Sequence, residues 1–155
     1  MNSLQDKRQA LDNAKAELMR ADHLLYVSLK YTRTVDVLKN LLSRLNAAYD
    51  FLFQTILMHD QEQGMIEDIP ALPILKLEEV KKLHPDDETI KQYAEFYILL
   101  KKLNKAPFER EREFRRHVKM IATINDKTAE VSIDIISDYY ARTKEFLNYV
   151  AQMIA

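Results

Sequence analysis

Between Lys101 and Lys119 the chain places eight basic residues, Lys101, Lys102, Lys105, Arg110, Arg112, Arg115, Arg116 and Lys119, against three acids, Glu109, Glu111 and Glu113. That segment carries +5 in a chain of formal net charge −1, so the remainder sums to −6 and the positive charge gathers around one histidine, His117. Positive charge concentrated in this way suits a phosphate-bearing partner. A guanidinium can hold a phosphate bidentately and stabilise charge growing on it, and a neutral imidazole can take a proton from a ribose 2′-hydroxyl. One arginine and one histidine therefore suffice for metal-free RNA cleavage. The plainer alternative is a solvated helix face whose Glu and Arg neutralise one another at i,i+3 and i,i+4.

Other chemistries have less material. The chain has no cysteine, which removes disulfides and thiolate metal ligands and suits a reducing, cytoplasmic setting. A single glycine leaves nothing for a phosphate-cradling loop of the P-loop or dinucleotide type. No Glu is followed three residues later by His, so the Glu-x-x-His pattern of di-iron carboxylate bundles is missing, as is His-Glu-x-x-His. No metal and no cofactor are expected. His23 beside Asp22 reads as a structural histidine, His59 as a solvated one near a helix end, and His84 before Pro85 as part of a helix terminus. A second basic constellation, Lys30, Tyr31, Thr32, Arg33 and Thr34 with Lys39 and Arg44 beyond it, could bind RNA phosphate and stack bases, or could simply be an interhelix turn with its cap.

The elements that must position these groups read as helices, because glycine and proline are scarce and Leu, Ala, Glu, Lys and Arg dominate long stretches. A first helix from about Ser3 to Leu29 carries Leu11, Ala14, Leu18, Ala21, Leu25 and Ser28 on one stripe. Thr34 caps a second, with Val35, Leu38, Leu42, Leu45, Tyr49, Leu52 and Ile56 at three-four spacing and Leu41, Phe51 and Phe53 off that seam, so this helix should be central. Gly64 closes it, and a loop runs from Met65 to Pro73. A short helix follows over about Ile74 to Leu83, then one capped by Asp86 and reaching about Asn104, then the basic helix from Pro107 to about Thr123. A last helix starts near Ser132 and carries Tyr139 and Tyr140 into core or interface. Residues 118–133 also fit two alternating strands about Asn125-Asp126-Lys127, but a lone hairpin is marginal, and the helix followed by a loop is the preferred reading.

On the basic helix, the phrase Glu-Phe-Arg-Arg-His resembles the HEPN superfamily, small helical bundles of prokaryotes whose ribonuclease members carry Arg-x4–6-His on a late helix. The chain also looks like small archaeal proteins of this kind. Two registers fit, Arg112 to His117 and Arg110 to His117. Five residues put Arg112 about 140° around a helix from His117, whereas seven put Arg110 within about 20° of it. Glu113 departs from the commoner HEPN pattern, which has a neutral polar residue there. The resemblance implies a homodimer in which two Arg-His helices share a cleft, and apolar residues on more than one face of the second helix point the same way.

The sequence thus predicts one all-α domain over residues 1–155, an up-and-down bundle of five or six helices. It predicts RNA binding through Arg115, Arg116, Lys119, Lys101, Lys102, Lys105 and Arg33, with His117 and Arg112 or Arg110 able to cleave. The alternative is a non-catalytic interaction module, antitoxin-like or a scaffold, whose basic helix docks an acidic protein. The polar start, MNSLQDKRQALDNAK, and charges breaking the apolar run Leu41 to Met58 predict neither a leader nor a membrane span.

Overall fold

Helix α1 (Ser3–His23) passes through one π-helical segment, Leu24–Ser28, into α2 (Leu29–Tyr31), so the first apolar stripe lies on one continuous rod. The computed structural model describes residues 3–155, with side chains from Asp6 onward; Met1 and Asn2, which open the polar start, lie outside the described residues. Leu11, Ala14, Leu18, Ala21 and Leu25 are buried, and their alternation of large and small side chains lets the rod lie close along α3 (Val35–Glu62).

The central element is α3, as its pattern predicts. Thr34 caps it, Oγ1 accepting from the Val37 N–H at 3.4 Å. Val35, Leu38, Leu42, Leu45, Tyr49, Leu52 and Ile56 are fully buried, and so are the off-seam Leu41 and Leu57. Neighbours cover it on several sides: α1, α4 (Pro73–Leu83), α5 (Glu88–Lys105) and α6 (Ile133–Met153). Burial of this kind, at roughly 1.5–3 kcal/mol for each large apolar side chain, outweighs intrinsic helix propensity in holding such a helix. Gly64 ends it at φ 76, where its N–H reaches the Gln61 carbonyl at 3.1 Å and the Met65 N–H reaches that of Asp60 at 2.9 Å. Those paired bonds make a Schellman cap, which needs a residue at ease in the left-handed region. The cap of α5 falls one residue later than expected, on Asp87 and not Asp86, with Oδ1 accepting from the Ile90 N–H at 3.0 Å.

The all-α expectation fails between Pro107 and Ser132. The basic helix does not form; the chain instead builds a three-stranded antiparallel sheet from β1 (Phe108–Glu111), β2 (Lys119–Ile124) and β3 (Lys127–Ser132), in the order β1-β2-β3. The protein is therefore mixed α and β, a helical assembly with a small sheet packed on it. The period of two explains why. Val118, Met120 and Ala122 are fully buried while Lys119 and Ile121 between them are partly exposed, an alternation that a helix would scatter around its circumference. Ile124 and Lys127 pair across Asn125 and Asp126, whose φ angles of 51° and 62° suit the two-residue type I′ turn. The hairpin alternative over 118–133 is thus the arrangement adopted. It escapes the marginal stability of a lone hairpin because β1 adds a third strand and the helices cover Met120, Ala122 and Val131.

After the sheet, Ser132 starts α6 as expected, its Oγ accepting from the Ile135 N–H at 3.2 Å. Among the described residues no helix is long and apolar enough to cross a membrane.

Candidate functional site

The β1–β2 connection, residues 112–118, is fastened to the start of α3. Glu113 Oε2 accepts from the Val35 N–H at 2.9 Å, satisfying a donor that a helix start otherwise leaves unpaired. The Phe114 N–H donates to the Arg33 carbonyl at 2.6 Å, and the Val118 N–H closes the turn onto the Arg115 carbonyl at 3.0 Å. This path takes Arg112 (φ 53°) and Phe114 (φ 66°) into the left-handed region, which costs an L-residue roughly 1–2 kcal/mol each. Glu113, the departure from the HEPN pattern, is accordingly a helix-capping side chain.

The two Arg–His registers are separated by this path, in the opposite sense to the helix geometry. Arg110 does not share a face with His117, because it lies on β1, where its guanidinium bonds Asp36 at 2.8 Å, pairs with Glu113 at 3.6 Å and stacks over the Phe108 ring at 5.3 Å. Its charge is committed to the fold. Arg112 stands beyond the end of the strand and lines one cleft with His117.

That cleft, about 660 Å³ in volume, is lined by Arg33, Arg112, Arg116, His117 and Lys119, with Glu130, Ser132, Ile133 and Asp134 completing the wall. The hairpin register puts Lys119 opposite Ser132 and so brings the start of α6 to the site. Lys119 is paired with Glu130 at 3.2 Å. Among the described residues no carboxylate lies within ion-pairing distance of Arg33, Arg112 or Arg116. The positive end of the α6 dipole adds to their field, and Asp134 in its first turn offsets part of it. Of the second basic constellation only Arg33 reaches this cleft. Lys39 donates to the Asn104 carbonyl at 2.8 Å, with burial lowering its pKa, and Arg44 pairs with Glu17 at 3.3 Å.

Lys101, Lys102 and Lys105 are not part of that site. They rim a separate groove of about 390 Å³ with Ile74, Ile98, Ala106, Thr123, Ile124 and Asn125. Lys119 and Ile124 sit at opposite ends of β2, about 17 Å apart at ~3.3 Å per residue, so the two features are distinct. Arg115 is exposed and lines neither.

The remaining histidines have other surroundings. His84 Nε2 meets the buried Asp60 Oδ2 at 2.7 Å, and this bond raises its pKa against the effect of burial. His59 Nδ1 accepts from the buried Lys7 at 3.1 Å, and Lys7 also pairs with Glu62 at 2.9 Å. His23 is exposed. Among the described residues no three His, Asp or Glu side chains are grouped to hold a metal ion. Tyr139 packs edge-on against Phe96 at 5.0 Å and Tyr140 against Tyr26 at 6.3 Å.

No family model, curated protein or solved structure matches the chain. The wall from Glu130 to Asp134 is absent from the sequence-based site, although its signal was present in the strand alternation that leads into the Ser132 cap. Exposure of Phe114, at 77%, had no such signal, since nothing in the local pattern marks a bulky aromatic for solvent.

Proposed function

We propose that the cleft between the β1–β2 connection and the start of α6 binds the phosphates of RNA in the cytoplasm. The carrying observation is the convergence of Arg33, Arg112 and Arg116 on one cleft with His117, none of the three arginines paired with a carboxylate among the described residues. Guanidinium groups free of internal ion pairs can accept a bidentate phosphate oxygen pair without first breaking a bond inside the protein.

The same groups support metal-independent cleavage. His117 removes the 2′-hydroxyl proton as that oxygen bonds to phosphorus, the bond to the 5′-oxygen breaks, and that oxygen takes a proton from water. The products are a 2′,3′-cyclic phosphate and a 5′-hydroxyl. Arg112 stabilises the charge that grows on the phosphate oxygens. This is the chemistry implied by the HEPN resemblance, carried here by a fastened connection in place of a helix. A homodimer belongs to the same proposal, although the off-seam side chains of α3 no longer argue for it, since Leu41 and Phe53 are covered within one chain.

The test is a cleavage assay on labelled RNA with and without EDTA. Activity should survive EDTA, and His117→Ala should abolish it while leaving RNA affinity largely intact. If the wild-type protein shows no RNA affinity at low salt, the phosphate reading is lost. Light scattering at high micromolar concentration tests the dimer, which a monomer would overturn.

One observation favours a second reading. The lysine-bearing groove is also lined by Ile74, Ile98 and Ile124, a combination that fits an acidic, amphipathic segment of a partner protein. Loss of partner binding on replacing Lys101, Lys102 and Lys105, with RNA binding unchanged, would assign that surface to the partner.

A further inference from the structure

Phe114 is unusual twice over. Its ring is 77% exposed, and its backbone occupies the left-handed region at φ 66°, where a bulky side chain is rarely found. Neither feature helps the isolated chain, yet two contacts fix the backbone here: the Phe114 N–H on the Arg33 carbonyl at 2.6 Å and Glu113 on the Val35 N–H at 2.9 Å. The residues around it belong to the cleft. Arg112 and Arg116 lie two positions to either side, and the carbonyl that anchors it belongs to Arg33, so three of its neighbours line the cleft while its own ring stands in solvent. Locally unfavourable backbone kept by surrounding contacts concentrates at ligand sites, and an exposed aromatic carried on a fixed backbone between cleft-lining arginines is an arrangement suited to a nucleic-acid strand, cations on phosphates and ring on base.

We infer that Phe114 is a stacking platform for an unpaired base, so that the site takes single-stranded nucleic acid in preference to duplex. The inference rests on the phosphate-binding reading of the cleft and extends it to the base. A duplex keeps its base faces stacked on one another and cannot offer one to the ring.

The test uses a fluorescently labelled oligouridine and an abasic ribose–phosphate strand of equal length, titrated with the whole chain. Phe114→Ala should weaken oligouridine binding by about tenfold, the scale of one stacked base, and leave abasic-strand binding unchanged. Because the chain contains no tryptophan, Phe114→Trp introduces a single reporter at the site; it should bind oligouridine at least as well as the wild type, with its emission quenched on saturation. Equal oligouridine affinity in Phe114→Ala, or unquenched tryptophan emission with oligouridine bound, overturns the platform while leaving the phosphate site standing. Equal loss on both strands also overturns it, by showing a general effect on the connection. A wild-type protein that binds neither strand overturns both readings.

Discussion

If the cleft binds RNA phosphates as proposed, salt dependence reports how many it neutralises, and the arginines lining it set the expected number. Arg33, Arg112 and Arg116 line it with no carboxylate partner among the described residues, while Lys119 is held by Glu130. Each single-strand phosphate that a cation neutralises contributes about 0.7 to the fall of log K with log salt, so three such contacts give a slope of about −2.1. Raising salt from about 50 to about 200 mM, a fourfold change, should then weaken binding by about 18-fold. Replacing Arg112 and Arg116 together by Gln leaves one contact and a slope of about −0.7, so the same change should weaken binding by only about 2.6-fold. The assay is a series of anisotropy titrations of labelled oligouridine across a potassium chloride range. Arg110→Gln is the internal control, because that guanidinium already serves Asp36 and Glu113 and should leave the slope unchanged. A double variant that keeps the wild-type slope refutes the reasoning. If the slope collapses only on replacing Lys101, Lys102 and Lys105, the phosphates lie on the other groove.

Glu113→Ala should cost about 1 kcal/mol in urea unfolding, since it leaves the Val35 N–H without its carboxylate partner while Arg110 keeps Asp36, and RNA affinity should fall as the connection loosens; unchanged stability would show that the bond contributes nothing. Leu45→Ala, at a fully buried position of α3, should cost about 2–5 kcal/mol by the same measurement, and a loss below about 1 would remove α3 from the centre of the core. The hydrogen bond to Asp60 raises the folded pKa of His84 above the ordinary 6.5. Its stabilising contribution is therefore complete below 6.5 and lost as pH rises through the higher folded value. Thermal midpoints should decline over that window in the wild type and decline less in His84→Gln; parallel profiles would sink the assignment. Asp126→Gly, at the second left-handed position of the hairpin turn, should stabilise by about 0.5–1 kcal/mol, and destabilisation would argue against a type I′ turn.

Sequence alone determined most of the helical frame, because its signals are local. The three-four spacing of α3, the Thr34 cap, the helix start near Ser132 and the glycine after Gln63 each act within a turn or two of themselves, whereas Pro73, read as the end of the loop, opens α4. It also marked His117, Arg112, Arg116, Lys119 and Arg33 as chemistry-bearing. What it did not decide was the conformation of residues 107–132. Glu and Arg alternating after Phe108 satisfy helical pairing at i,i+3 and also fit an exposed strand, and the balance is tipped by burial of Met120, Ala122 and Val131 under helices distant in the chain. The grouping of the site depended on the same remote contacts. Glu113 caps a helix that begins 78 residues earlier, and Arg110 finds its partner 74 residues away. No local pattern reports such pairings, so which arginine joins His117, and which serves the fold, was settled only when the sheet packed against α3.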